Sequence, residues 1–160
     1  MNIEITAPVG SYETLRAALN AGANSVYFGI GNLNMRSSAA VNFQIEDLNN
    51  IVRLCRENMA KAYLALNTVI FDDEIDEVEK ILLAARSAGI DAIIATDVSV
   101  LNKSKDFGLN VHMSTQSNIT NADAVDFFAQ WADVVVLSRE MSLERVKALN
   151  NHIIKRNICG

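Results

Sequence analysis

The sequence predicts an α/β protein, the first six βα units of an incomplete (β/α)8 TIM-type barrel on a parallel sheet. Three observations predict it. Short β-rich apolar runs alternate with longer stretches of helical spacing, which is the texture of βα units. A helix-end segment recurs along the chain. Polar residues share strand faces for which the other architecture that fits, an open doubly wound sheet covered on both sides, has no obvious place.

The first run, Ile3 to Ala7, is followed by Pro8 in an expected loop and by Ser11, whose short hydroxyl suits an N-cap. Leu15, Ala18, Leu19 and Gly22 follow one helical face, with Gly22 where a left-handed residue ends a helix. The second run, Ser25 to Gly29, leads into Ile30 to Phe43, the longest stretch without periodicity and therefore an expected functional loop. Leu48, Ile51, Val52 and Cys55 form the next helical face, before the third run, Lys61 to Asn67. Asp72 or Asp73 is expected to cap the helix carrying Ile75, Val78, Ile81, Leu82 and Ala85, which closes at Gly89. The fourth run is Asp91 to Thr96, with Asp97 as the next cap; the fifth is Asn110 to Thr115, with Asn121 as cap. The sixth is Asp133 to Leu137, and Ser142 opens the last helix. The runs are almost continuously apolar, as in a sheet that helices cover.

The recurring segment is Leu15 to Val26, matched by Leu82 to Ile93 through Ala17/Ala84, Ala18/Ala85, Ala21/Ala88 and Gly22/Gly89. Phe127 to Asp133 is a weaker third copy. Stacked βα units explain the recurrence; the alternative is that Ala-Gly helix ends are common in α/β proteins generally.

Composition narrows the function classes. Half of the 160 residues are hydrophobic, 21% are charged and the net charge is −5, which excludes a disordered chain. Two distant cysteines make no disulfide framework, and no apolar run approaches a membrane span. No secretory signal precedes the first strand, so a cytoplasmic place is expected. The acidic balance argues against holding nucleic acid by charge alone. Ala7 to Ser11 is not a dinucleotide-binding turn, and no Walker A motif occurs. No metal-ligand spacing is present: His112 and His152 stand apart, Cys55 falls on an apolar helical face, and Cys159 suits no nucleophile motif. Ser114 near His112 is spacing on one strand, not a triad.

Period-two alternation collects His112, Ser114 and Gln116 on one face of the fifth strand, and Glu4 with Thr6 on one face of the first. Tyr27 shares a face with Gly29, and Tyr63 with Asn67. A barrel lumen accommodates such residues, with function gathered at the strand C-termini. Asp97, Asn118, Thr68 and Ser138 have local explanations in capping, turns or backbone satisfaction. Gln116 has none. Arg139 is either an anion ligand or half of an exposed pair with Glu140, and Arg36 is either an anion ligand or a solvated side chain.

Several segments together resemble the collagenase-like peptidase family, the thirty-second family of peptidases of unknown catalytic type. They are Glu4 to Gly10, Ala21 to Gly29, Met35-Arg36 with Asn42-Phe43, and Leu66 to Thr68. The most specific are His112-Met-Ser-Thr-Gln-Ser-Asn118 and Val136 to Leu143. The resemblance implies a barrel enzyme, either a peptidase, some members acting on collagen, or an oxygen-independent hydroxylase of transfer RNA, ribosomal RNA or a quinone precursor. The RNA-modifying members are associated with prephenate. The full-length form is expected to be an RNA hydroxylase, with a true peptidase or a short binding module as alternatives. The resemblance also implies an iron–sulfur cluster, held by cysteines beyond residue 160, so no cluster ligand is carried onto this chain. The positions it carries over as substrate-binding candidates are Glu4, Tyr27, Arg36, Asn67, His112, Ser114, Gln116, Arg139 and Glu140; no catalytic residue and no metal ligand is assigned.

A barrel typically needs about 250 residues. Residues 1–160 are therefore expected to be the N-terminal part of a single barrel domain, inactive by itself. Its open sheet edge is expected to be covered, by a second copy or by a rearranged terminus.

Overall fold

A computed structural model describes residues 3–35, 43–156 and 158. Strands β1 (Thr6–Pro8), β2 (Ser25–Gly29), β3 (Lys61–Leu66), β4 (Ala92–Ala95), β5 (Val111–Met113) and β6 (Val134–Val135) form one sheet in sequence order. Every pairing is parallel. Helices α1 (Tyr12–Asn20), α2 (Leu48–Glu57), α3 (Ile75–Ala88), α4 (Val98–Asp106), α5 (Ala122–Phe128) and α6 (Leu143–Arg156) alternate with them.

Strand order decides the architecture. Right-handed crossovers between successive neighbours bring every helix to the same side of the sheet. A doubly wound sheet would instead reverse its order at a switch point. The protein is thus an arc of a barrel, with helices outside and one sheet face left as a lumen wall.

The two faces differ as that geometry requires. Val26, Phe28, Leu64, Leu66, Ile93, Val111 and Met113 point outward and pack with Leu15, Ile51, Leu82 and Leu101 of the helices. Each such buried side chain contributes about 1.5–3 kcal/mol. Cys55 belongs to this core, as its helical spacing predicts. The alternate residues face the lumen, where Gly29, Ala65, Ile94, His112 and Val134 lie in register across five strands.

The recurring segment has a structural basis. Among the described residues, four helices end in the same motif, in which one residue turns left-handed and the next amide reaches back into the helix. Gly22, Gly89 and Gly108 hold the left-handed position, with φ of 85°, 78° and 67°. The amides of Ala23, Ile90 and Leu109 donate to the carbonyls of Ala18, Ala85 and Ser104. Met59 holds the equivalent place after α2 with φ 55°, and Ala60 donates to Cys55.

Just beyond this turn, Asn24 and Asp91 brace the start of the preceding strand, as Asp133 does after α5. Their side-chain oxygens accept from the amides of Ile5, Ala62 and Val111 at 2.8, 2.8 and 2.7 Å. The weak third copy lacks the glycine turn yet keeps this brace through Asp133.

Caps at Ser11, Asp97 and Asn121 accept from the amides of Thr14, Ser99 and Ala124, and Ser142 accepts from Arg145. Asp72 and Asp73 do not cap α3. They open a 3-10 turn in which the Glu74 carboxylate accepts from the Phe71 amide. Pro8 is not in a loop but ends β1, opposite Tyr27. An edge strand tolerates it, because proline withholds an amide the outer side does not use. β1 starts later than predicted, leaving Ile3 and Ile5 exposed. β5 stops at Met113, because Ser114 accepts from the Gln116 amide and turns the chain into a 3-10 segment, Thr115–Ser117. No described helix is long and apolar enough to cross a membrane.

Candidate functional site

The lumen face encloses a cavity of about 750 Å³. Its lining runs from Glu4 and Lys61, at the N-terminal end of the strands, to Asn67, Gln116 and Arg139, beyond their C-terminal ends. Tyr27, Tyr63, Ile94 and His112 form the wall between.

The floor is an ion pair with a phenol. Tyr63 donates to the Glu4 carboxylate at 2.5 Å, and the Lys61 ammonium lies 2.8 Å from its other oxygen. Burial alone would raise the Glu4 pKa, but hydrogen bonds from Lys61, Tyr63 and Ser25 together outweigh it and lower the value to about 2. Tyr63 is raised to about 12 by burial and by its bond to Glu4, so it stays a phenol. Lys61 is raised by the hydrogen bond to the same carboxylate.

Above the floor, the rings of Tyr63 and His112 meet edge to face, with centroids 4.6 Å apart. Burial lowers the His112 pKa against the weaker pull of Glu4 and Asp133, which favours the neutral imidazole. Among the described residues, nothing accepts from or donates to that ring, so it is open to a ligand.

The rim joins three loops. Asn67 Oδ1 accepts from the Met35 amide at 3.2 Å, and Asn67 Nδ2 donates to Ser114 Oγ at 3.2 Å. Ser114 Oγ also accepts from the Gln116 amide at 3.3 Å. Arg139 stands exposed at this rim with no hydrogen bond or ion pair to any described residue.

The structure thus brings Glu4, Tyr27, Asn67, His112, Ser114, Gln116 and Arg139 to one cavity. The placement of the candidates differs from expectation in three respects. Glu4 sits at the N-terminal floor, since residues that precede a strand lie at the end opposite its C-terminus. That end of a barrel is the one associated with stability. Gln116 reaches the rim from a 3-10 turn rather than from the strand face. Glu140 is not part of the lining: Ser138 donates to its carboxylate in a local turn, and this bond lowers its pKa. Arg36 lies outside the described residues.

Lys61 and Met35 were not among the sequence candidates. Lys61 was findable, because 61, 63, 65 and 67 alternate onto one face. Met35 was not, because a contact made in three dimensions places it. Thr68 also departs from expectation: its hydroxyl is buried with no partner among the described residues, rather than satisfying local backbone.

Cys55 is buried between helix and sheet, and burial pushes its thiol up to about 11. Among the described residues no group of three or more His, Cys, Asp or Glu could hold a metal. The described residues do not fit an iron–sulfur cluster, which cysteine thiolates hold.

The sequence profile of Peptidase family U32 matches residues 10–158. A Porphyromonas gingivalis protein named collagenase is 50% identical over 159 residues, spanning 99% of this chain and 38% of that protein. A Bacillus subtilis protein named tRNA hydroxylation protein P1 is 31% identical over 153 residues, spanning 94% of this chain and 36% of that protein. The chain therefore spans well under half the length of these relatives. A solved U32 peptidase structure superposes with a TM-score of 0.77 at 12% identity, covering 94% of this chain and 65% of that one. At that identity the likeness concerns the fold.

Proposed function

Because this chain belongs to Peptidase family U32, we propose that it is the substrate-holding N-terminal part of an oxygen-independent RNA hydroxylase. One observation carries the reading: an aromatic-walled lumen with an exposed guanidinium at its rim. Tyr27, Tyr63 and His112 offer ring faces and edges to a planar base, and such stacking is worth about 1–3 kcal/mol per base. Arg139 is placed to meet a phosphate with paired N–H donors. A net charge of −5 disfavours a broad electrostatic hold on RNA. Recognition of a single splayed-out nucleotide suits both the charge and the cavity. The likeness to the Bacillus subtilis hydroxylation protein supports the same substrate class. The same proposal places the protein in the cytoplasm. The outer sides of β1 and β6 are left for further βα units of a longer protein or for a second copy.

A second reading, peptide cleavage, rests on the 50% identity to the Porphyromonas gingivalis collagenase. The side chains on hand favour it less. Ser114 Oγ accepts from Asn67 and from the Gln116 amide, and His112 makes no bond to it, so Ser114 has no activating base among the described residues.

Fluorescence anisotropy separates the two, using a labelled single-stranded uridine-rich RNA oligonucleotide and a labelled collagen-like peptide. RNA binding that Arg139→Ala weakens by about tenfold is expected, the size of a lost charged hydrogen bond. Peptide binding without RNA binding would overturn the first reading in favour of the second.

A further inference from the structure

We infer that Gly29 and Asn34 form a clasp that positions Met35 at the cavity rim, making Asn34 a positioning residue and Met35 the apolar determinant of what enters. The inference rests on the cavity being the binding site, but its geometry stands apart from any ligand. Gly29 ends β2 on the lumen face, in register with Ala65. A Cβ at Gly29 would collide with the Asn34 side chain at its Cγ, Oδ1 and Nδ2 atoms. Asn34 lies in that space fully buried, and its Nδ2 donates to the carbonyls of Ile30 and Gly31 at 3.1 and 3.3 Å. The stem is fixed on its return side too. Ile30 bridges Phe43 in parallel, and the Gly31 amide donates to the Phe43 carbonyl at 3.2 Å.

The consequence falls on the next residue. With Asn34 seated, the Met35 amide meets Asn67 Oδ1 and the Met35 side chain joins the cavity lining, still 55% exposed. Asn67 passes the constraint to Ser114, and Ser114 to the Gln116 amide. Three loops, after β2, β3 and β5, thus hold one another through a single run of hydrogen bonds. A flexible thioether on that rim supplies an adaptable apolar contact beside the polar amides. This fits a ligand with an unsaturated or apolar ring more closely than a wholly polar one.

The test is hydrogen exchange on the 160-residue chain, read at the Met35 amide by NMR, with the Leu64 amide as reference for the fold. Asn34→Ala should speed exchange at Met35 by at least about fivefold, the value of one hydrogen bond, while Leu64 stays protected. A thermal double-mutant cycle adds an independent reading. Gly29→Ala should lower Tm in the parent and cost much less in the Asn34→Ala background, because the colliding atoms are gone. Unchanged Met35 exchange, or additive Tm losses, would overturn the clasp. Either failure leaves the RNA-binding reading untouched, since that is decided by the oligonucleotide.

Discussion

Tyr63 and Glu4, one on β3 and the other just ahead of β1, share a 2.5 Å hydrogen bond across the floor of the lumen. The bond ties the N-terminal edge of the sheet to its third strand, with Lys61 completing the contact at 2.8 Å. It gives the floor a pH dependence. The Glu4 pKa is lowered in the folded state from 4.5 to about 2. Its contribution to stability is therefore complete above pH 4.5 and is lost as the pH falls through about 2. With the carboxylate 35% exposed, solvent screening limits that contribution to about 1 kcal/mol. Urea unfolding at pH 7 and pH 3 checks it: Glu4→Gln should lower stability at pH 7 and flatten the acid slope. An unchanged slope would contradict the assignment.

His112 should titrate below 6.5, because burial disfavours its charged form. A folded pKa below the unfolded one means that its contribution is present above the unfolded value and is lost as the pH falls through the folded one. An NMR titration of the imidazole protons measures this directly. A pKa at or above 6.5 would place the ring in an environment other than the one described.

Met59 keeps a left-handed turn that three other helices give to glycine. A Cβ in that conformation costs about 1 kcal/mol relative to glycine, and the Met59 side chain is 94% exposed and packs on little. Met59→Gly should therefore raise stability by about 1 kcal/mol in urea unfolding. A loss of stability would mean that the side chain makes a contact in solution.

Asp91 presents the opposite case. Its carboxylate takes the Ala62 amide at 2.8 Å. Asp91→Ala leaves that part-buried donor unpaired and should cost about 1–3 kcal/mol, whereas Asp91→Asn keeps an acceptor, as Asn24 does for Ile5, and should cost less. Equal losses for the two variants would show that the accepted hydrogen bond is not what Asp91 contributes.

The outline of the barrel was readable because its causes are local and periodic. Apolar runs at Ser25 to Gly29 and Lys61 to Asn67 mark strands buried on their helix side, and Gly22 and Gly89 mark helix ends. The same period put His112 and Tyr63 on the lumen face. What escaped the sequence depends on contacts between distant segments or on chain direction. Alternation puts Glu4 on the lumen face, but chain direction decides the end: a residue preceding a parallel strand lies at the floor, not at the mouth. Gln116 follows strand alternation in sequence, yet the Ser114 hydroxyl ends the strand two residues earlier. Met35 is set by Asn34 filling the space above Gly29, which no periodicity records.

The lumen is proposed as the place where this chain meets its substrate. Amide and side-chain NMR shifts, recorded while a single-stranded uridine-rich RNA oligonucleotide is added, test it most directly. The expected result is saturable shifts confined to Tyr27, Tyr63, Asn67, His112, Gln116 and Arg139, with the outer helices unmoved. Shifts confined to the outer helical surface, or none at oligonucleotide concentrations well above the protein's, would contradict it.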